Sequence, residues 1–84
     1  MKYIVLIERY AQKQISKLDN KAIPQIKTAI SNLSENPRPF GYNKLKGIEA
    51  YRIRIGDYRI IYEINTDKVI VVIVSVGHRN EIYK

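Results

Sequence analysis

The segment Tyr51–Tyr62 constrains the fold more tightly than any other part of the chain. Tyr51, Ile53 and Ile55, and then Tyr58, Ile60 and Tyr62, alternate with Arg52, Arg54 and Arg59. Period-two alternation is the signature of a strand with one buried face. Between the two runs lies Gly56-Asp57, a pair suited to a two-residue hairpin turn. Such a turn registers Ile55 with Tyr58 and Arg54 with Arg59, and so sends all three guanidinium groups to one face. Like charges directly opposite one another destabilise a sheet. A fold that keeps them there has an anion to bind, and phosphate is the first candidate.

The rest of the chain supplies what such a hairpin needs to pack on. Lys2–Ile7 reads as a strand, continuously apolar from Tyr3 and expected to be buried on both faces. From Glu8 to Leu18 the spacing of Ala11, Ile15 and Leu18 predicts a helix. Asp19-Asn20 marks a turn and offers caps for a second helix over Ala22–Leu33, with Pro24 in its first turn and Ile23, Ile26, Ile30 and Leu33 on one stripe. Asn36–Asn43 carries two prolines and a glycine and ends that helix. After the arginine hairpin, Asn65–Lys68 turns into Val69–Val76, apolar apart from Ser75 and expected to be central and covered on both faces. Gly77 is expected to break that strand before the tail from His78 to Lys84. The predicted fold is α+β in the order β-α-α-β-β-β. A helical hairpin packs on a four-stranded, mainly antiparallel sheet, with a short C-terminal tail or helix, and residues 1–84 form a single domain.

Composition narrows the function classes. The 84 residues include 15 Lys and Arg against 8 Asp and Glu, a net charge of +7. That balance favours a polyanionic partner, whether nucleic acid, an acidic protein or an anionic surface. With no cysteine, a disulfide framework and a cysteine-based zinc or redox site are excluded. The first apolar run is too short for a signal-peptide core and is closed by Glu8-Arg9, and no run reaches membrane-spanning length. A cytoplasmic protein with no membrane partner is the expectation.

His78 is the sole histidine, no carboxylates cluster at ligand spacing, and no glycine-rich phosphate loop or nucleophile elbow is present. Chemistry on this chain would then be metal-free, without cofactor, and dominated by cations. The tail adds His78, Arg79 and Tyr83 to the hairpin arginines. Together they are suited to RNA cleavage by the ribose 2′-hydroxyl. Arginines stabilise the charge of the phosphorane, a base takes the 2′ proton, an acid protonates the leaving 5′-oxygen, and a tyrosine orients or stacks on a base. The competing reading is a cationic surface that contacts nucleic acid without cleaving it. Tyr51, Tyr58 and Tyr62 share the parity of the isoleucines and are expected in the core.

The helical hairpin, Asn43-Lys44-Leu45-Lys46-Gly47, Tyr51-Arg52-Ile53-Arg54, Gly56–Tyr62 and Val76-Gly77-His78-Arg79 with Tyr83 resemble the RelE branch of the RelE/ParE toxin superfamily, in order and spacing across essentially the whole chain. The resemblance implies the toxin of a bacterial type II toxin–antitoxin system. It implies a metal-independent endoribonuclease, or mRNA interferase, that cuts mRNA in the A site of the 70S ribosome and so inhibits translation. It also implies a cognate acidic antitoxin bound in a heterocomplex.

By position, Arg59 then matches the arginine that stabilises the transition-state phosphate, and Arg79 the one that serves the leaving group. Tyr83 matches the tyrosine that orients the substrate. Arg52 and Arg54 match paired basic residues that are lysines in the best-known member. Arginine stays protonated at neutral pH and is a poor base, so His78, Lys44 and Lys46 become candidates for that role. Lys44 and Lys46, with Arg52 and Arg54, are also candidate RNA contacts. The alternatives are a ParE-like DNA gyrase inhibitor, a branch that generally lacks the set of Arg59, Arg79 and Tyr83, and a noncatalytic antitoxin- or RNA-binding module.

Overall fold

The computed structural model describes residues 2–78. Its elements are β1 (Ile4–Ile7), α1 (Arg9–Ser16), α2 (Ile23–Glu35), β2 (Asn43–Lys44), β3 (Tyr51–Ile55), β4 (Tyr58–Asn65) and β5 (Ile70–His78). They form one five-stranded sheet in the order β1-β5-β4-β3-β2, with β1 parallel to β5 and every other pair antiparallel. The predicted architecture holds with one strand more than the expected four. The addition is β2, where Asn43 pairs with Arg52 and Lys44 with Tyr51. A two-residue strand carries no periodicity of its own, so only its partner's register reveals it.

Both helices lie on one face of the sheet. Ala11 and Ile15 of α1 and Ile26, Ala29, Ile30 and Leu33 of α2 close over Ile53, Ile60, Tyr62, Val71, Ile73 and Val76. Ile26, Ile60, Tyr62, Val71, Ile73 and Val76 are fully buried. Burying each such side chain contributes about 1.5–3 kcal/mol, which matters in a domain that hides only roughly 60–65% of its unfolded surface. The first helix is shorter than its apolar stripe predicted. The second begins without the side-chain cap expected from Asp19 or Asn20: Ala22 holds the N-cap position. Asp19 instead accepts backbone N–H groups from Ala22 and Ile23 on its carbonyl, at 2.8 and 3.2 Å, and the Lys21 N–H on its carboxylate at 3.0 Å.

Among the described residues, the opposite face has no helix on it, which corrects the two strands expected to be covered on both sides. Ile4 and Leu6 of β1 are 60% and 50% exposed, and β1 is an edge strand. The β5 strand is interior to the sheet, yet Ile70, Val72 and Val74 are only half-buried. Nor does Gly77 break the strand, for β5 continues through it to His78.

One irregularity decides which way the end of β5 faces. Tyr62 pairs with Ile73 but Ile61 pairs with Ser75, leaving Val74 as an extra residue. A bulge of this kind resets the alternation of side chains. Ile73 and Val76 both face the core although three positions separate them. Beyond the bulge, Gly77 lies opposite Arg59 and His78 opposite Tyr58.

Candidate nucleic-acid interface

The hairpin forms in the predicted register. Ile55 pairs with Tyr58, Arg54 with Arg59 and Arg52 with Ile61. Gly56 stands at φ 59°, a value that glycine adopts without the Cβ penalty other residues meet at the first position of such a turn. Ile53 and Ile60 are held in the core beneath the helices. Side chains of directly paired residues share a face, so Arg52, Arg54 and Arg59 project together from the side away from the helices. Register surrounds them with Asn43, Ile61, Ser75 and Gly77. None of these neighbours takes up a proton near neutral pH.

The three arginines differ in setting. Arg54 is exposed, while Arg52 and Arg59 are half-buried with their Nε atoms shielded from solvent. Packing along the guanidinium stem fixes the direction of the planar donor fork, which suits bidentate binding of phosphate. Gly77 is buried opposite Arg59. With no side chain there, backbone or ligand can approach that part of the face closely.

The other predicted site residues do not all join this cluster. His78 takes the opposite parity, because the bulge turns Gly77 and not His78 towards the arginines. Its ring stands edge-on to Tyr58, with centroids 5.7 Å apart and planes at 83°. Both line a cleft of about 370 Å³ with Gln14, Lys17, Leu18, Asp19 and Val76, on the helix side of the sheet. The structure therefore places His78 on the helix side of β5 and not in the row of arginines. Lys44 pairs with Tyr51, which also has the helix-side parity, and its ammonium lies 3.3 Å from the Glu49 carboxylate. Lys44 is therefore not in the row of arginines. Lys46 is exposed in the loop after β2. Arg79 and Tyr83 lie outside the described residues.

Of the tyrosines expected in the core, Tyr62 is fully buried and Tyr51 and Tyr58 half-buried. The Tyr62 hydroxyl donates to the Pro37 carbonyl at 2.7 Å, fastening the proline-rich loop to the sheet. Burial is the main cause that pushes this phenol above the usual tyrosine range, with Tyr42 and Tyr51 adding to it and Arg38 opposing.

The same open face has a second zone that sequence reasoning missed. Towards the β4–β5 turn, Leu6, Ile48, Ile70 and Val72 line an open groove of about 820 Å³, with Glu49, Glu63 and Asp67 among its walls. Ile48 is 56% exposed. Contiguous exposed apolar surface of this kind marks an interaction site. Its signal was present in the sequence, but the uniformly apolar runs of β1 and β5 give no parity by which to tell an open face from a buried one.

Among the described residues, no three His, Asp or Glu side chains gather as a metal site, and no helix is long and apolar enough to cross a membrane. The sequence model of a family described as the ParE toxin of the type II toxin–antitoxin system, parDE, matches residues 5–83. Over 88 aligned residues the chain is 33% identical to the mRNA interferase toxin RelE of Escherichia coli strain K12, across 99% of this chain and 92% of that protein. The fold aligns with a chain of the archaeal RelE–RelB complex from Pyrococcus horikoshii OT3 at a TM-score of 0.83 and 29% identity, covering 96% of this chain and 99% of that one. A chain of the intact E. coli RelBE toxin–antitoxin complex aligns at 0.79 and 32% identity, over 90% and 95%.

Proposed function

We propose that this chain, which belongs to the ParE toxin family of type II toxin–antitoxin systems and is of RelE type within it, is a ribosome-dependent endoribonuclease that cleaves mRNA in the A site. The observation that carries the reading is the row of Arg52, Arg54 and Arg59 on the sheet face away from the helices, with Arg54 and Arg59 directly paired. In the reaction, the 2′-hydroxyl gives up its proton as its oxygen attacks the adjacent phosphorus, the bond to the 5′-oxygen breaks and that oxygen takes up a proton, so that a 2′,3′-cyclic phosphate and a 5′-hydroxyl result. Negative charge builds on the phosphorane oxygens in between. Fixed guanidinium groups aimed at that charge are worth more in the transition state than in the ground state. No water is activated in this step, and no metal is required for it.

Arg59 is the phosphate clamp, for its stem is half-buried and its pairing puts it between Arg54 and Gly77. Arg52 and Arg54 bind and neutralise phosphate and do not move a proton. On the strength of the resemblance, Arg79 serves the leaving 5′-oxygen and Tyr83 orients the substrate. Among the described residues no helix covers the arginine face, and the ribosome presents and bends the mRNA strand onto it. A cognate antitoxin covers this face in the inhibited state. Its acidic side chains answer the arginines, and its apolar side chains fill the groove beside Leu6 and Ile48.

Primer extension on cellular mRNA after induction tests the reading. Cuts phased with codons in translated regions are expected. Intact mRNA accompanied by double-strand DNA breaks would overturn it in favour of a gyrase inhibitor, the second reading. Absence of growth arrest together with tight antitoxin binding would mark a noncatalytic module.

A further inference from the structure

Among the described residues, the end of β5 that lies against Arg59 has no strand on its outer side. The first strand stops at Ile7, which pairs with Ile73, and the Glu8 N–H closes that ladder by donating to the Ile73 carbonyl at 3.0 Å. From Val74 to His78, the described part of the sheet gives β5 a neighbour in β4 on one side only. A strand edge left this way presents backbone donors that need partners. The first helix runs along this edge and supplies one. Gln14 Oε1 accepts the Val76 N–H at 2.8 Å and the Ser75 hydroxyl at 3.1 Å. The neighbouring Gln12 acts separately, donating from Nε2 to the Ile7 carbonyl at 2.8 Å.

These two bonds fall just beyond the bulge, on the first two residues of the stretch where β5 pairs with β4 in a register shifted by one residue. They also fall just before Gly77, which opposes Arg59, and His78, after which Arg79 follows in the chain. We infer that Gln14 is a positioning residue for cleavage: its carbonyl oxygen fixes the end of β5 against α1, and through it the place of Gly77 beside Arg59. Gln14 lies on α1, on the helix side of the sheet, whereas Arg52, Arg54 and Arg59 project from the other side. It acts through the backbone, on a strand end whose side-to-side placement one ladder alone would leave loose. The inference rests on the ribonuclease reading above for its consequence in cleavage, though not for the bonds themselves.

Three variants test it. Gln14→Leu removes the acceptor at similar size, Gln14→Glu keeps an oxygen for both donors, and Ser75→Ala removes the weaker donor. Two readouts are taken on the full chain at a temperature where each variant is folded: amide hydrogen exchange at Val76, and single-turnover cleavage of mRNA on programmed ribosomes across a ribosome titration. For Gln14→Leu the expectation is about a tenfold fall in both Val76 protection and the saturating rate. The half-saturating ribosome concentration should stay within about twofold of wild type. Gln14→Glu should recover protection and rate together, and Ser75→Ala should lose less than the leucine variant.

A Gln14→Leu protein that loses Val76 protection yet cleaves at the wild-type rate overturns the inference. So does a glutamate variant that protects Val76 without restoring the rate, or a serine variant that loses more than the leucine one. The ribonuclease reading fails differently: a wild-type chain that leaves ribosome-bound mRNA intact removes it, and this role with it, whatever Val76 shows.

Discussion

The two ends of the open sheet face differ in what they leave in water. At the end near the β3–β4 turn, Arg52, Arg54 and Arg59 share one surface, and Arg54 sits directly across from Arg59. At the other, Leu6 and Ile48 stand half-exposed beside Ile70 and Val72, rimmed by Glu49, Glu63 and Asp67. Opposed like charges weaken a sheet, and exposed apolar side chains forgo about 25 cal/mol for each Å² of apolar area a cover would bury. On the proposed function, the first end meets the phosphate of the substrate and the second the apolar surface of the antitoxin. If that reading holds, chemistry and regulation are separate on a single face.

The largest expected effect is at the cationic end. Arg59→Ala should lower the cleavage rate about 10²–10³-fold, the scale of removing one donor aimed at developing charge. Next is the apolar end. The double variant Leu6→Thr/Ile48→Ser should weaken antitoxin binding about tenfold, a loss near 1.4 kcal/mol, in a titration calorimetry experiment. It should leave cleavage unchanged. If cleavage falls as far as antitoxin affinity, the two ends are not separate.

Tyr62→Phe serves as a control beneath both ends, on the covered face. Losing its bond to Pro37 should cost about 1 kcal/mol in urea unfolding at neutral pH, with little change in cleavage by folded protein. The sign of its pH dependence follows from the phenol being held neutral by burial. Folding raises this pKa, so the stabilisation is whole below about pH 10, the unfolded value, and drains away as pH rises above it. Wild type should lose more stability than Tyr62→Phe between about pH 9 and 11. The smallest effect is a gain: Arg54→Thr relieves the opposed pair and should raise stability by roughly 0.2–1 kcal/mol while slowing cleavage. A destabilised variant would show that the pair is not strained.

How much of this was legible in the sequence follows from where alternation survives. The hairpin could be read residue by residue, since apolar and charged positions alternate and Gly56-Asp57 fixes the turn. The stripes of α1 and α2 were equally plain. By contrast, Ile70–Val76 is nearly uniform in polarity, so the extra residue at Val74 leaves no trace in the pattern. That single residue turned His78 to the helix side and set Gly77 opposite Arg59. The same uniformity in Ile4–Ile7 hid the open groove, and β2 was too short to have a pattern at all. Gln14 reads as an ordinary polar helix residue until β5 is seen to outrun β1.

The central claim is that the fixed positive charge at Arg59 acts on the phosphate undergoing transfer. Single-turnover cleavage of mRNA on programmed ribosomes, compared between wild type, Arg59→Lys and Arg59→Ala at saturating ribosome, tests it most directly. Alanine should lose about two to three orders of magnitude and lysine, which keeps the charge without the planar fork, should lie between, with thermal stability close to wild type in both. An alanine variant that cleaves within about threefold of wild type would contradict it.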